Sequence, residues 1–422
     1  MTRSQISRWI LPGCATVLGA AGATALANGS RVASHDAFAS ARGEAFAATA
    51  DNPSAIYYNP AGIAQLEGHQ LRAGVYGLYL RPTFDSPSGS SHASDRNYQA
   101  VPHFYYTYGP KEFPLNFGLG VYSPFGLSSR WPDDTGFRTV GTEAQMRYFT
   151  VSPVVAWKVR PNFSVAAGVT VNACDLDLQR GLVWPMQPYD NFRFQGDAWD
   201  VGYTLGVLWK PSEQLSFGVN FRSPTTMDLE GETTFRNDVE IPGMFPAFPT
   251  QYREASTEFP FPLSFVVGVS YRPTPRWNFE FNAELNDWDR LGTETVHQSA
   301  PFPPILPQDI SLPLEWESSW YYEFGVTRYL GQNWSVSAGY IFNESSVPDA
   351  YYTPLVADVD RHFISVGGGY QGKHVRVDLA YQFGYGPGHT VRGSAPSAVG
   401  QTADGHYEFL SHAVLLTGQW SF

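Results

Sequence analysis

The chain has 422 residues, with 39 acidic against 27 basic side chains and a formal net charge of −12. That balance argues against nucleic-acid binding, which requires a basic surface. Aromatic residues make up 15% of the chain and Gly occurs 40 times, a composition that suits a bacterial outer-membrane barrel.

Residues 1–27, MTRSQISRWILPGCATVLGAAGATALA, have the three parts of a secretory signal. Arg3 and Arg8 supply positive charge, an apolar Ala/Gly-rich run follows, and Ala25-Leu26-Ala27 closes it. Pro12 and several glycines make the run a poor membrane anchor, and Cys14 has too little apolar chain before it for a lipoprotein site. The mature chain is expected to start at Asn28. Cys174 is then the only cysteine, so no intramolecular disulfide forms. No later segment has the long apolar run of a spanning helix.

Residues 28–68 do not alternate. The stretch 34–50 is rich in small residues and suits short helical turns. Asn52-Pro53 and Asn59-Pro60 then specify bends. Proline fixes φ and restricts the residue before it, while Asn stiffens a bend by bonding nearby backbone. About forty residues cannot build a core of their own. Folded inside a barrel, they would form a plug. The expected division is therefore 1–27 signal peptide, 28–68 plug or hatch, and 69–422 barrel.

Beyond residue 68 the dominant period is two. In HVRVDLAYQFGY, 374–385, Val375, Val377, Leu379, Tyr381, Phe383 and Tyr385 share one face, opposite Arg376, Asp378 and Gln382. WSVSAGYIF, 334–342, and WNFEFNAEL, 277–285, repeat the pattern. Short turns near 109–114, 160–162, 210–214, 273–276, 331–333 and 372–373 alternate with long connections near 82–97, 125–145, 181–195, 236–255, 297–314, 345–360 and 387–406. Sorted connections of this kind and an even strand number predict an all-β fold. It is a 14-stranded antiparallel transmembrane β-barrel, with both chain ends on the short-turn side. HAVLLTGQWSF, 412–422, places Val414, Leu416, Trp420 and Phe422 on one face and ends on an aromatic residue, which partly matches the signal read by barrel-insertion machinery.

On the third strand, Gly118 and Gly120 are expected to weaken pairing, and Pro124 removes a ladder donor. These predict a kink, although Pro124 equally marks a strand end. Two loops are too apolar for a purely solvating role: 182–192 with Val183, Trp184 and Met186, and 239–252 with Met244, Phe245, Phe248 and Tyr252. Exposed apolar patches mark binding sites, and Met beside aromatic rings suits ligands of variable shape. Packing of these loops into a lid is the competing reading, and 300–314 fits either role. Arg222, Glu280, Glu284, Glu323, Arg376 and Asp378 fall on polar faces. Arg222 and Arg376 are candidates to meet a ligand carboxylate; pairing with each other's acidic neighbours or with the plug is the alternative.

Catalysis has little support. Three consecutive residues, Ser34-His35-Asp36, cannot adopt triad geometry. There is no G-x-S-x-G elbow and no paired metal-ligand spacing. Gly367-Gly368-Gly369 lacks the Lys-Ser/Thr of a phosphate loop and is expected to allow close packing against the plug or a neighbouring strand. No catalytic residue, metal or cofactor is expected.

ARGEAFAATADNPSAIYYNPAGIAQL, 41–66, resembles the N-terminal hatch of the FadL/TodX family of outer-membrane transporters for long-chain fatty acids and aromatic hydrocarbons. Asn59-Pro60-Ala61 matches its Asn-Pro-Ala motif, and Arg42-Gly43 and Asp51 sit where the family has similar residues. NFGLGVYSPFGL, 116–127, and DVDRHFISVGGGY, 358–370, are also similar. The resemblance implies passive uptake without ATP or an ion gradient. Ligand would rest in a groove of external loops, enter an apolar pocket, and leave sideways at a kinked third strand when the hatch moves. The Asn-Pro bends would hold the hatch near that opening. The implied partners are a hydrophobic small-molecule ligand, the lipid bilayer with lipopolysaccharide, and the insertion machinery, with the chain acting as a monomer. From the residues alone, a general porin is disfavoured by the plug, and an adhesin or structural barrel remains open.

Overall fold

The computed structural model describes residues 29–32, 34–95, 98–182, 190–237, 248–302 and 306–422. The expected signal peptide lies outside them. The period-two segments become fourteen barrel strands, six of them in two pieces. They are β1 (Gly68–Asp85), β2 (Ser91–Ala93 and Tyr98–Gly109), β3 (Leu115–Tyr122 and Gly126–Arg130), β4 (Glu143–Arg160), β5 (Phe163–Arg180), β6 (Asp190–Trp209) and β7 (Leu215–Arg222 and Thr225–Asn237). The second half comprises β8 (Phe248–Phe261 and Leu263–Thr274), β9 (Trp277–Asp287 and Thr293–Gln298), β10 (Asp309–Pro313 and Ser319–Leu330), β11 (Trp334–Asn343), β12 (Arg361–Gln371), β13 (Val375–Val391) and β14 (Gly405–Ser421). Each strand pairs antiparallel with the next. β14 returns to β1 from Ser421↔Gln70 to His406↔Asp85, which closes the sheet.

The alternation sorts side chains by solvent. Val375, Val377, Leu379, Tyr381 and Tyr385 are exposed on the outer wall, while Asp378, Ala380 and Gln382 are buried inside. Trp157, Trp209, Trp334 and Trp420 stand exposed beside the short-turn end, as an interfacial girdle requires. Strands extend further from the membrane than the sequence indicated: β1 runs to Asp85, β6 begins at Asp190 and β13 reaches Val391. Ladder bonds continue there, but the lipid-facing hydrophobicity that made the pattern readable does not.

Residues 34–66 fill the lumen at the short-turn half. They form α1 (Ala37–Ala41), α2 (Ala55–Tyr58) and a 3-10 turn (Pro60–Gln65). Asp36 caps α1, accepting from the amides of Phe38 and Ala39 at 3.0 and 3.2 Å. Asn52 accepts from the Ser54 amide at 2.8 Å, and Asn59, extended at φ −165°, accepts from the Ala61 amide at 3.2 Å and starts the 3-10 turn. Both Asn-Pro steps thus make the locally bonded bends that their chemistry predicts.

The plug packs backbone to backbone against the wall. A Cβ on Gly339 would lie 2.0 Å from the Gly43 nitrogen, and one on Gly367 would lie 2.6 Å from the Ala41 Cβ. Gly367 therefore permits the close packing expected of it. The opposite half of the lumen is filled by a buried cluster that includes Phe84, Trp131, Phe137, Tyr352, Tyr407 and Phe409.

Candidate functional site

Buried charges hold the plug. Arg72 of β1 bonds Asp36 at 2.5 Å and Asp378 of β13 at 2.9 Å. Arg376 also pairs with Asp378, at 2.8 Å. On the other side, Arg42 bonds Glu280 of β9 at 3.2 Å and also bonds Asn278. Glu280 further accepts from the amides of Ala48 and Thr49, at 2.7 and 3.2 Å, and from the Thr49 hydroxyl. Nearer the solvent, the partly exposed Asp51 meets Arg272 of β8 at 3.1 Å, outside the dry interior that holds the other pairs. In a dry interior such charges persist only when paired and hydrogen-bonded.

Asn59-Pro60-Ala61 docks on β5 and β6. The Asn59 amide donates to the carbonyls of Ala47 at 2.8 Å and Val207 at 2.9 Å, and Ser164 donates to the Ala61 carbonyl at 2.9 Å. Asn59 and Pro60 thus rest on the wall two to three strands along from β3, while Ile56 of the same segment packs on β3 itself. Asn52 and Pro53 shape the turn into α2.

β3 is interrupted, but not at its glycines. Gly118 and Gly120 keep full register with Thr107 and Tyr105 of β2 and with Val154 and Ser152 of β4. They do not weaken pairing; they leave room for the plug. A Cβ on Gly118 would lie 2.9 Å from Ile56 Cδ1, and one on Gly120 would lie 2.8 Å from Ile56 Cγ2. The break is at residues 123–125, around Pro124. Pairing with β4 stops at Tyr122↔Thr150 and resumes at Gly126↔Arg147, so one extra residue bulges. Pairing with β2 ends at Val121↔Phe104; among the described residues the second piece of β3 forms a ladder with β4 and takes one main-chain bond from the Asp95 amide to the Arg130 carbonyl at 2.8 Å.

The start of the plug fills this gap. The Val32 amide donates to the Pro124 carbonyl and the Gly126 amide to the Ser30 carbonyl, both at 2.8 Å. Between them Arg31 reaches Glu284 of β9 at 2.6 Å and stacks on Tyr321 at 4.3 Å. Sequence reasoning missed Ser30–Val32, because a three-residue pairing with a strand ninety residues away leaves no local pattern.

Behind the break lies a cavity of about 40 Å³, lined by Tyr57, Tyr122, Pro124, Phe125, Tyr148 and Arg222 among others. That space holds roughly one to three waters. The Arg222 guanidinium lies 4.2 Å over the Tyr57 ring and 3.7 Å from Glu284. Arg376 is elsewhere: it stacks on Phe38 at 4.5 Å within the plug interface. Next to the cavity wall, Glu44 accepts from Ser34 at 3.0 Å and from the Tyr58 hydroxyl. Burial pushes its carboxyl up to about 7. Burial first, then the charge of Arg31, holds His35 far below the usual imidazole range.

The loop candidates divide. Val183, Trp184, Met186, Met244 and Phe245 lie outside the described residues. Phe248 is the first residue of β8. Tyr252 is exposed over an outer depression of about 500 Å³ shared with Asp197, Glu230, Arg253 and Glu254, so its neighbours are charged and not an apolar groove. In the 300–314 connection, Phe302, Leu306 and Ile310 are buried, with Phe302 packed 5.3 Å from Phe235. These apolar side chains are thus packed inward and not offered to solvent.

A closed, even-stranded barrel with an apolar exterior, a plug made from its own N-terminal segment and a break in its wall is a plugged transport barrel of the outer membrane. The chain belongs to the outer membrane protein transport protein family (OMPP1/FadL/TodX), whose profile matches residues 17–421. It is 18% identical over 356 residues to a long-chain fatty acid transport protein of Escherichia coli O6:H1, covering 76% of this chain and 78% of that one. An outer membrane protein of Neisseria meningitidis serogroup B is 24% identical over 90% of both chains. Among solved structures, a Pseudomonas aeruginosa FadL homologue matches with a TM-score of 0.81 at 17% identity, over 93% of this chain and all of that one. The Ralstonia pickettii toluene transporter TbuX matches with a TM-score of 0.71 at 16% identity, over 92% and 99%.

Proposed function

We propose that the protein carries long-chain fatty acids or aromatic hydrocarbons passively across the outer membrane, from the external loops to the cavity at Tyr57 and out sideways where β3 is broken. The relatives named for fatty acids and for toluene support both ligand classes. The observation that carries the reading is the bridge of Ser30–Val32 to Pro124–Gly126. One segment both stops the lumen and seals the side gap, so a single plug movement would open the lateral path. The cavity as it stands is too small for an alkyl chain, so passage requires such a movement. Arg222, facing that cavity, suits a carboxylate. The chain acts alone in the bilayer, with lipopolysaccharide around its outer rim, and its Phe422 end serves insertion.

Uptake of labelled oleate and labelled toluene into liposomes carrying the purified protein, with ion leakage recorded alongside, tests this. Saturable uptake without leakage supports it and names the ligand class. Leakage without selective uptake points to a porin and removes the gated mechanism.

A further inference from the structure

β7 is broken as β3 is, and by the same dipeptide: Ser123-Pro124 on β3 recurs as Ser223-Pro224 on β7. Pairing of β6 with β7 stops at Thr204↔Arg222 and resumes at Asp197↔Glu230. Residues 198–203 of β6 face 223–229 of β7 without a ladder. One extra residue normally disturbs a rung or two; here the regular ladder lapses over six residues of β6, with a single main-chain bond, Ser223 amide to Tyr203 carbonyl, left at its edge.

The break lies within the membrane. It begins six residues from Trp209 at the short-turn girdle, about 20 Å along the strand. Trp199, Val201 and Tyr203, along the break, are exposed on the outer wall. Its inner side opens on the Tyr57 cavity, whose lining includes Tyr203, Ser223 and Thr225 as well as Pro124 and Phe125. One cavity thus touches both wall breaks.

Two side chains and one main-chain bond close this second break where the regular ladder lapses. The Asp200 carboxylate accepts from the Thr226 amide across the gap at 2.9 Å and from the Val201 amide at 2.7 Å. Ser223 Oγ accepts from the Tyr203 amide at 2.9 Å, and the Ser223 amide donates to the Tyr203 carbonyl at 2.9 Å. A carboxylate and a hydroxyl are easier to release than a six-residue ladder.

We propose that the gap between β6 and β7 is a second side portal, latched by Asp200 and Ser223, through which apolar chains or rings pass between the Tyr57 cavity and the outer leaflet. Its part in uptake rests on the transport reading above; its existence as a lipid-accessible gap does not. The test uses the full-length mature protein in bilayers doped with a phospholipid bearing a diazirine on its acyl chain, with adducts mapped by mass spectrometry after illumination. Thr225 and Met227 point inward and are buried. The portal predicts adducts on both, alongside those on outward Val201, and none on inward Ser365 of unbroken β12. Asp200→Ala is expected to raise the yield on Thr225 and Met227 about tenfold, since it removes a charged acceptor of two amides. Deleting Pro224 together with Pro262, its neighbour on β8, evens the residue count across β6–β8 and should abolish those adducts. Absence of adducts on Thr225 and Met227 in both wild type and D200A, with Val201 labelled, would overturn the portal. Adducts that rise in D200A while oleate and toluene uptake stays at the liposome background would instead leave the portal standing and remove the transport reading.

Discussion

Glu280 offers the sharpest probe of how the plug is held. Its side chain and that of Arg42 have no exposed surface, and it also serves two plug amides and the Thr49 hydroxyl. Glu280→Ala leaves Arg42 charged in a dry interior, where Nε and Nη1 already have no hydrogen-bond partner. Removing one member of such a pair costs about 3–5 kcal/mol. The two stranded amides overlap with that figure and do not add in full. Taking about 4 kcal/mol, the population with a displaced plug rises roughly a thousandfold. Single-channel recording in planar bilayers reads this directly: wild type should be silent, and E280A should show bursts of ion current. Glu280→Gln keeps the acceptor for the plug amides and should fall between them. Exposed Glu254→Ala is the control. An E280A barrel that is folded by heat-modifiability yet as silent as wild type would refute the claim that this hub positions the plug.

Other consequences are equally open to measurement. Asn59→Ala with Pro60→Ala should leave the barrel folded but impair ligand delivery, read as oleate or toluene uptake by intact cells; wild-type uptake would remove these residues from the mechanism. Gly118→Ala places a methyl against Ile56 and Val154 and should cost about 1–3 kcal/mol in plug docking, with added Ile56→Val restoring part of it in protease protection of the plug. Glu44 titrates near 7 when buried against an ordinary 4.5, so the docked plug binds the extra proton between those values. Docking is then strongest below about pH 4.5 and weakens by up to about 3 kcal/mol as pH rises through 7. Leak current should rise over that range in wild type and lose the dependence in Glu44→Gln. Arg222→Leu should reduce oleate uptake more than toluene uptake, since only oleate carries a carboxylate; equal loss of both would assign Arg222 a structural role.

The barrel was legible in the sequence because its determinants are local and repeated. Lipid outside and a polar lumen impose a period of two on every strand, and Val375–Tyr385 states that rule without any partner. Sorted turn lengths likewise count strands one connection at a time. The plug's bends were readable too, since Asn52 and Asn59 bond backbone only two residues away. The pairings were not. Arg72 with Asp36 and Asp378, Arg42 with Glu280, and Ser30–Val32 with Pro124–Gly126 join residues that meet only when the sheet closes and the N-terminal segment enters it. Gly118 and Gly120 show the difference most plainly: as sequence they suggest a weak strand, and their role depends on Ile56, sixty residues away, arriving on the other side of the wall. The period came from the solvent each face meets, which acts on every residue independently. The site came from closure, which decides which lone charges and missing side chains face one another.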